Sequence, residues 1–216
     1  MEPFVFKTRL HLTIILGKKA KNIIELLEGI KTVPGSCIYY HTHKFLQQHH
    51  YLSPEPPNDF AFWISNILQE KKLGEQMAAV DIMQFKTLKE LRDKFIEIIE
   101  GYLSNKKNFN DVMPGSEFQF LKSQSFVINT NYIANNIQEF YEILQKISID
   151  SLYFHIFEAR LRLEKPTNDF SLWLESIGEK QIAKKIAQLD PYTQTLQDLR
   201  NKICKLLEKK NKCQLI

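Results

Sequence analysis

Ile23, Leu26, Leu27 and Ile30 follow the i, i+3, i+4, i+7 spacing of one helix face, while Lys21, Glu25 and Glu28 face out. The spacing predicts an amphipathic helix over Ala20–Ile30. Its start is expected near Gly17 and its end at Val33-Pro34-Gly35, where proline and glycine break helices. Tyr132-Ile133 to Ile147 reads as an equivalent helix, with Asn131 at its start. A further helix is expected from Cys37 to about His50, capped by Ser36, with Asp150 at the matching place later in the chain. Ile38, Tyr39 and Tyr40 resemble a strand locally. Phe45 and Leu46 continue the face of Ile38 and Thr42 instead of alternating, which favours helix.

The same reading carries on downstream. Tyr51 to Pro57 makes a stiff crossing, and Asn58 or Asp59 caps a helix to about Leu68 with Phe60, Trp63, Ile64 and Ile67 inward. Leu73, Met77 and Val80 mark a short helix. Thr87 and Glu90 form a capping box before a stripe of Leu88, Leu91, Phe95, Ile98, Ile99 and Leu103. Ser104–Ser116 is polar and reads as a linker, and the tail from Glu208 to Gln214 as fraying. The stretches Phe4–Ile14 and Phe118–Ile128 alternate only in part, so strand and helix both stay open for them.

These elements occur twice. His41 and His155 are 114 positions apart, and the same offset pairs Phe6 with Phe120, Ala20 with Ala134 and Ile23 with Ile137. The offset falls to 110 at Asp59/Asp169 and Trp63/Trp173, then to 109 at Asp81/Asp190 and 108 at Leu88/Leu196. The shifts fall where loops are expected, and so long a period marks a duplicated domain rather than a short solenoid unit. The expected fold class is all-α: a tandem duplication of a helical module, 1–105 and a degenerate 116–213, in a pseudo-twofold arrangement. A single intertwined domain is the variant.

Composition narrows the function classes only a little. With 29 Lys and Arg against 25 Asp and Glu, the net charge of +4 is mild and does not by itself imply nucleic acid or membrane. Aromatic residues, 15 Phe, 8 Tyr and 2 Trp, argue for a packed chain over a disordered one. Three unpaired-looking cysteines, Cys37, Cys204 and Cys213, suit a reducing cytoplasm, with Cys37 a buried small residue before a nucleophile. No secretory leader and no membrane-length apolar run are expected.

The chemistry concentrates at Tyr39-Tyr40-His41-Thr42-His43 and Asn58-Asp59. His41 and Asp59 both recur, as His155 and Asp169, which invites a histidine–carboxylate pair able to orient a general base. The alternative has the histidine bonding a buried acceptor and the aspartate capping its helix. On a helix His41 and His43 point apart, so one metal cannot take both, whereas in a strand they would share a face; a site would also need carboxylates or further histidines, with Asp59 and Asp81 as candidates, and the spacing matches no strong metal signature. Tyr39, Tyr40, His43, His49 and Trp63 complete the candidate ligand-facing set, although a tryptophan on an apolar stripe is first a core residue. Lys18, Lys19 and Lys21 form a small basic cluster.

The run Tyr39 to His49, followed by Pro57-Asn58-Asp59-Phe60-Ala61-Phe62-Trp63, resembles an uncharacterised family of bacterial and archaeal proteins with a Tyr-His-Thr-His segment, a Gln-His and a Pro-Asn-Asp-Phe-Ala block. The resemblance covers most of the chain and brings no catalytic roles with it. The expected function is a non-catalytic binding or regulatory module for a protein or small ligand, without cofactor, membrane or nucleic acid. The alternatives are a general-base or divalent-metal hydrolase using His41, His43 and Asp59, and a weak nucleic-acid binder.

Overall fold

The structure, a computed structural model, describes residues 2–45, 57–105, 109–163, 167–189 and 195–213. The chain is mostly helical, but the all-α expectation misses a two-stranded sheet in which β1, Phe4–Ala20, pairs with β2, Phe118–Ala134. The first residues of each strand have a clear inside and outside. Phe4 and Phe6 are buried around a half-buried Val5, and Phe118 and Phe120 around a half-buried Gln119. Further along, little of either strand is buried, so the apolar residues show no period of two. The Phe6 carbonyl accepts from the Thr130 hydroxyl and His11 contacts Ser123, so rising positions in one strand meet falling positions in the other. The pairing is antiparallel.

The strands overrun the expected helix starts. Gly17 lies within β1 at φ +71, a backbone that glycine adopts without strain, and Asn131 lies within β2. Helix α1 begins at Ile23 and ends at Thr32. Asn22 caps it, accepting from the Glu25 N–H at 2.9 Å, while the Glu25 carboxylate accepts from the Lys21 N–H. The equivalent Ile137–Leu144 helix is capped by Asn136 in the same way. Ser36 and Asp150 are not the caps expected of them. Helix α2, Gly35–Tyr39, follows Pro34, whose φ of −65 is already suited to a helix start. Ile149–Tyr153 is capped two residues before Asp150, by Ser148. Both helices run on into a wider π turn, Tyr40–Lys44 and Phe154–Glu158. Of the two candidates at the next helix, Asn58 is the cap, accepting from the Ala61 N–H at 2.9 Å; Asn168 does the same for Ser171 at 2.8 Å. The Thr87–Glu90 capping box is present ahead of the long helix Leu88–Leu103.

The chain forms two compact units. One contains His11–His49 with Pro54–Gln124. Its core sets the start of β2 on the helices of the first half: the Phe118 ring stacks on Phe60 at 5.3 Å, and Phe60 meets Phe95 at 5.6 Å. Phe120 packs so closely on α1 that a Cβ at Gly29 would stand 1.9 Å from its ring. The other unit contains Met1–Leu10 with Ser125–Ile216. There the start of β1 meets the helices of the second half, with Phe4 5.4 Å from both Phe140 and Phe170, and Phe140 stacked on Trp173 at 5.0 Å. Each set of helices therefore packs against the strand that begins the other half of the sequence. Among the described residues no helix is long and apolar enough to cross a membrane.

Candidate functional site

In the unit containing His11–His49, the buried His41 ring is held at both nitrogens. Nδ1 lies 2.7 Å from Asp59 Oδ2, and Nε2 accepts the Leu121 backbone N–H at 3.0 Å. A backbone N–H can only donate, so Nε2 carries the lone pair and Nδ1 carries the proton. The imidazole is thus neutral in this arrangement and donates to the Asp59 carboxylate. Phe118 and Phe60 enclose it, with ring centroids at 4.7 and 5.4 Å, and Tyr40 meets it edge-on at 5.1 Å. The Asp59 carboxylate receives the imidazole N–H while Asn58 does the capping, so the expectation that the aspartate caps the helix is corrected. An asparagine amide oxygen in the cap position leaves the next carboxylate to turn toward the ring.

His43 takes no part in that arrangement. It is buried beside Tyr39, their rings stacked at 5.7 Å, and its Nδ1 lies 3.1 Å from the Thr42 hydroxyl. That hydroxyl already donates to the Ile38 carbonyl, so it accepts from Nδ1. Burial pulls the His43 pKa down to about 3. His41, Thr42 and His43 are all buried, because the π turn is packed on every side; opposite directions on a helix do not make one residue exposed.

The remaining candidates disperse. Trp63 is a core residue whose indole N–H donates to the Ser116 carbonyl at 2.8 Å. Asp81 is half-buried on the wall of a cavity of about 280 Å³ that also meets Gln84, Phe85 and Lys94, with no histidine among its lining. His49 lies outside the described residues, as does Asp190. Among the described residues no three His, Cys, Asp or Glu side chains come together as a metal site would require. Burial raises the Cys37 thiol to about 12, far from a nucleophile's range. Lys21 pairs with Asp111 at 3.0 Å, which ties part of the expected linker to the start of α1.

Two participants escaped the sequence reading. His11 Nδ1 lies 2.7 Å from the Ser123 hydroxyl, and its Nε2 faces the Tyr39 hydroxyl at 3.5 Å. A histidine inside the apolar run Leu10–Leu16 was the available signal; its partner, 112 positions away, gave none. The same unit has an open cleft of about 760 Å³ between helices Lys71–Ala78 and Leu88–Leu103, lined in part by Lys72, Gln76, Glu97, Ile98 and Tyr102.

In the unit containing Ser125–Ile216, His155 Nδ1 lies 2.8 Å from Asp169 Oδ2, and Nε2 accepts the Lys7 N–H at 2.7 Å. The Ser151 hydroxyl donates to the Lys7 carbonyl, so side chains engage both backbone groups of Lys7. The indole of Trp173 donates to the Glu2 carbonyl at 3.1 Å. Beside the histidine, Arg9 pairs with the buried Glu158 at 2.9 Å and lies over the Phe154 ring.

The fold is similar to that of the structure of OrfY from Thermoproteus tenax, with a TM-score of 0.81 at 24% identity over 96% of this chain and 95% of that one. No curated protein matches the sequence. The family model described as a family of unknown function (DUF5752) matches residues 1–208, and the chain belongs to that family.

Proposed function

We propose that the chain is a non-catalytic binding or regulatory module, built by duplication of one helical plan, in which each histidine fastens an incoming strand. The observation that carries this is the engagement of both His41 nitrogens, one by Asp59 and one by the Leu121 N–H. A general base needs a lone pair directed at substrate, and this one is directed at the protein's own backbone. The duplication is supported by parallel bonds at matching positions: His155 with Asp169 and the Lys7 N–H, Trp173 with Glu2 where Trp63 has Ser116, and Asn168 where Asn58 caps. A ligand or peptide of mixed polarity suits the cleft beside Lys72 and Glu97, where opposite charges flank Ile98 and Tyr102. Free, buried Cys37 fits a reducing compartment such as the cytoplasm.

Diethylpyrocarbonate, which attacks the unprotonated imidazole nitrogen, tests the reading. His41 and His155 should resist modification in the folded protein and react once urea exposes them. Rapid modification of His41 in the native state would instead mark an accessible base and favour the hydrolase.

A further inference from the structure

The outer edges of the two strands are not treated alike along their length. At Leu121 the edge of β2 is closed by His41, and at Lys7 the edge of β1 is closed by His155 and Ser151. Along the second half of β2 the Tyr132 N–H is met by the strand's own Thr130 hydroxyl, and the apolar side chains stand open. Within the unit containing Ser125–Ile216, Phe126, Val127, Ile128, Tyr132 and Ile133 are 38–50% exposed, and Leu10 of β1 is 55% exposed. From Ser123 to Gln138 there is no Asp, Glu, Lys, Arg, Pro or Gly, in a chain with 25% charged residues. Exposed edge strands are ordinarily blunted by lysine, proline or a covering element. Here lysine and proline are missing over the extended backbone from Ser123 to Ala134.

We propose that this edge of β2 is where two copies of the chain meet, pairing antiparallel about a twofold axis. The proposal rests on the reading of the chain as a binding module and names a second copy as its partner. The exposed side chains lie on successive positions of a strand, and so on both faces of the ribbon. A docking helix would cover one face only; an added strand flanks both and also engages the backbone groups of every second residue. Among strands, the chain's own copy fits best. Both chains carry a net charge of +4, and an uncharged strip lets them approach without setting like charges together. The six side chains, each about half exposed, present on the order of 500 Å² per copy. A standard dimer needs about 800 Å² per partner, and the strand backbone with Asn129 and Asn131 makes up most of the difference.

Sedimentation equilibrium of the full chain, with Val127→Lys, Ile133→Lys and the control Ile24→Lys, tests this. The wild type should be dimeric, and either strand lysine should weaken the dimer about 100-fold or more, since each places an unpaired charge inside the apolar strip. Ile24, 48% exposed on α1, should tolerate lysine with no change in mass. Far-ultraviolet dichroism reports whether each variant is folded. If one strand variant unfolds, the other decides. A monomeric wild type, or a dimer untouched by a folded strand variant, overturns the proposal, including the case in which the strip serves a different partner. Reactivity of His41 toward diethylpyrocarbonate is read separately, so an error in the non-catalytic reading is distinguishable from an error here.

Discussion

His41 and Leu121 stand eighty positions apart, and the ring nitrogen of one accepts the backbone N–H of the other at 3.0 Å. The bond fixes the tautomer of the imidazole, directs its proton to Asp59, and closes the outer edge of β2 at the point where that strand enters the core. In the proposed reading, a motif that looks catalytic in the sequence serves as a fastener. His155 and Lys7 are related in the same way at 2.7 Å.

The division of labour between Asn168 and Asp169 gives a stability prediction. Asn168→Ala removes a buried cap and should cost about 1–2 kcal/mol in urea unfolding. Asp169→Asn should leave the cap intact but weaken the hold on His155 Nδ1, and amide exchange at Lys7 should quicken. Equal cap loss in both variants would show that the two side chains share the role.

His43 predicts how stability varies with pH. Its folded-state pKa, about 3, lies below the ordinary 6.5, so between these values the unfolded chain binds a proton that the folded chain does not. The stability this residue supplies is complete above about 6.5 and is lost as pH falls toward 3. His43→Phe, which copies Phe157 at the matching position, should flatten the fall in urea midpoint between pH 7 and pH 4.5. An unchanged slope would place the titration elsewhere.

Two helix glycines separate packing from propensity. Helix propensity alone favours alanine at both. A Cβ added at Gly101 would meet nothing within 4 Å, and Gly101→Ala should stabilise by roughly 0.5–1 kcal/mol. Gly29→Ala meets the Phe120 ring and should destabilise by about 1–3 kcal/mol despite the propensity gain. Thermal or urea unfolding of the two variants should therefore move in opposite directions.

The helices were legible because their signals are local. Thr87 and Glu90 lie three apart, and the stripe Leu91, Phe95, Ile99 follows one face. The strands were not, because the two-stranded ribbon leaves most of its length open to solvent. Ile14-Ile15-Leu16 therefore shows neither helical nor strand period. Gly17 mimics a helix boundary while serving a left-handed residue within β1. The histidine–aspartate pairs could be suspected from their recurrence. Their third partners could not, since a backbone N–H leaves no mark on residue identity: Leu121 and Lys7 share nothing but their place in the strand. The exchange of strand ends between the compact units was invisible for the same reason.

Amide hydrogen exchange at Leu121 tests the fastening most directly. Its N–H lies on the outer edge of a two-stranded ribbon, where the imidazole bonds it. It should exchange slowly in the wild type and about 100-fold or more faster in His41→Ala, while Lys7, bonded by His155, stays slow. Exchange of Leu121 in the wild type at the rate of an open strand edge would contradict the account.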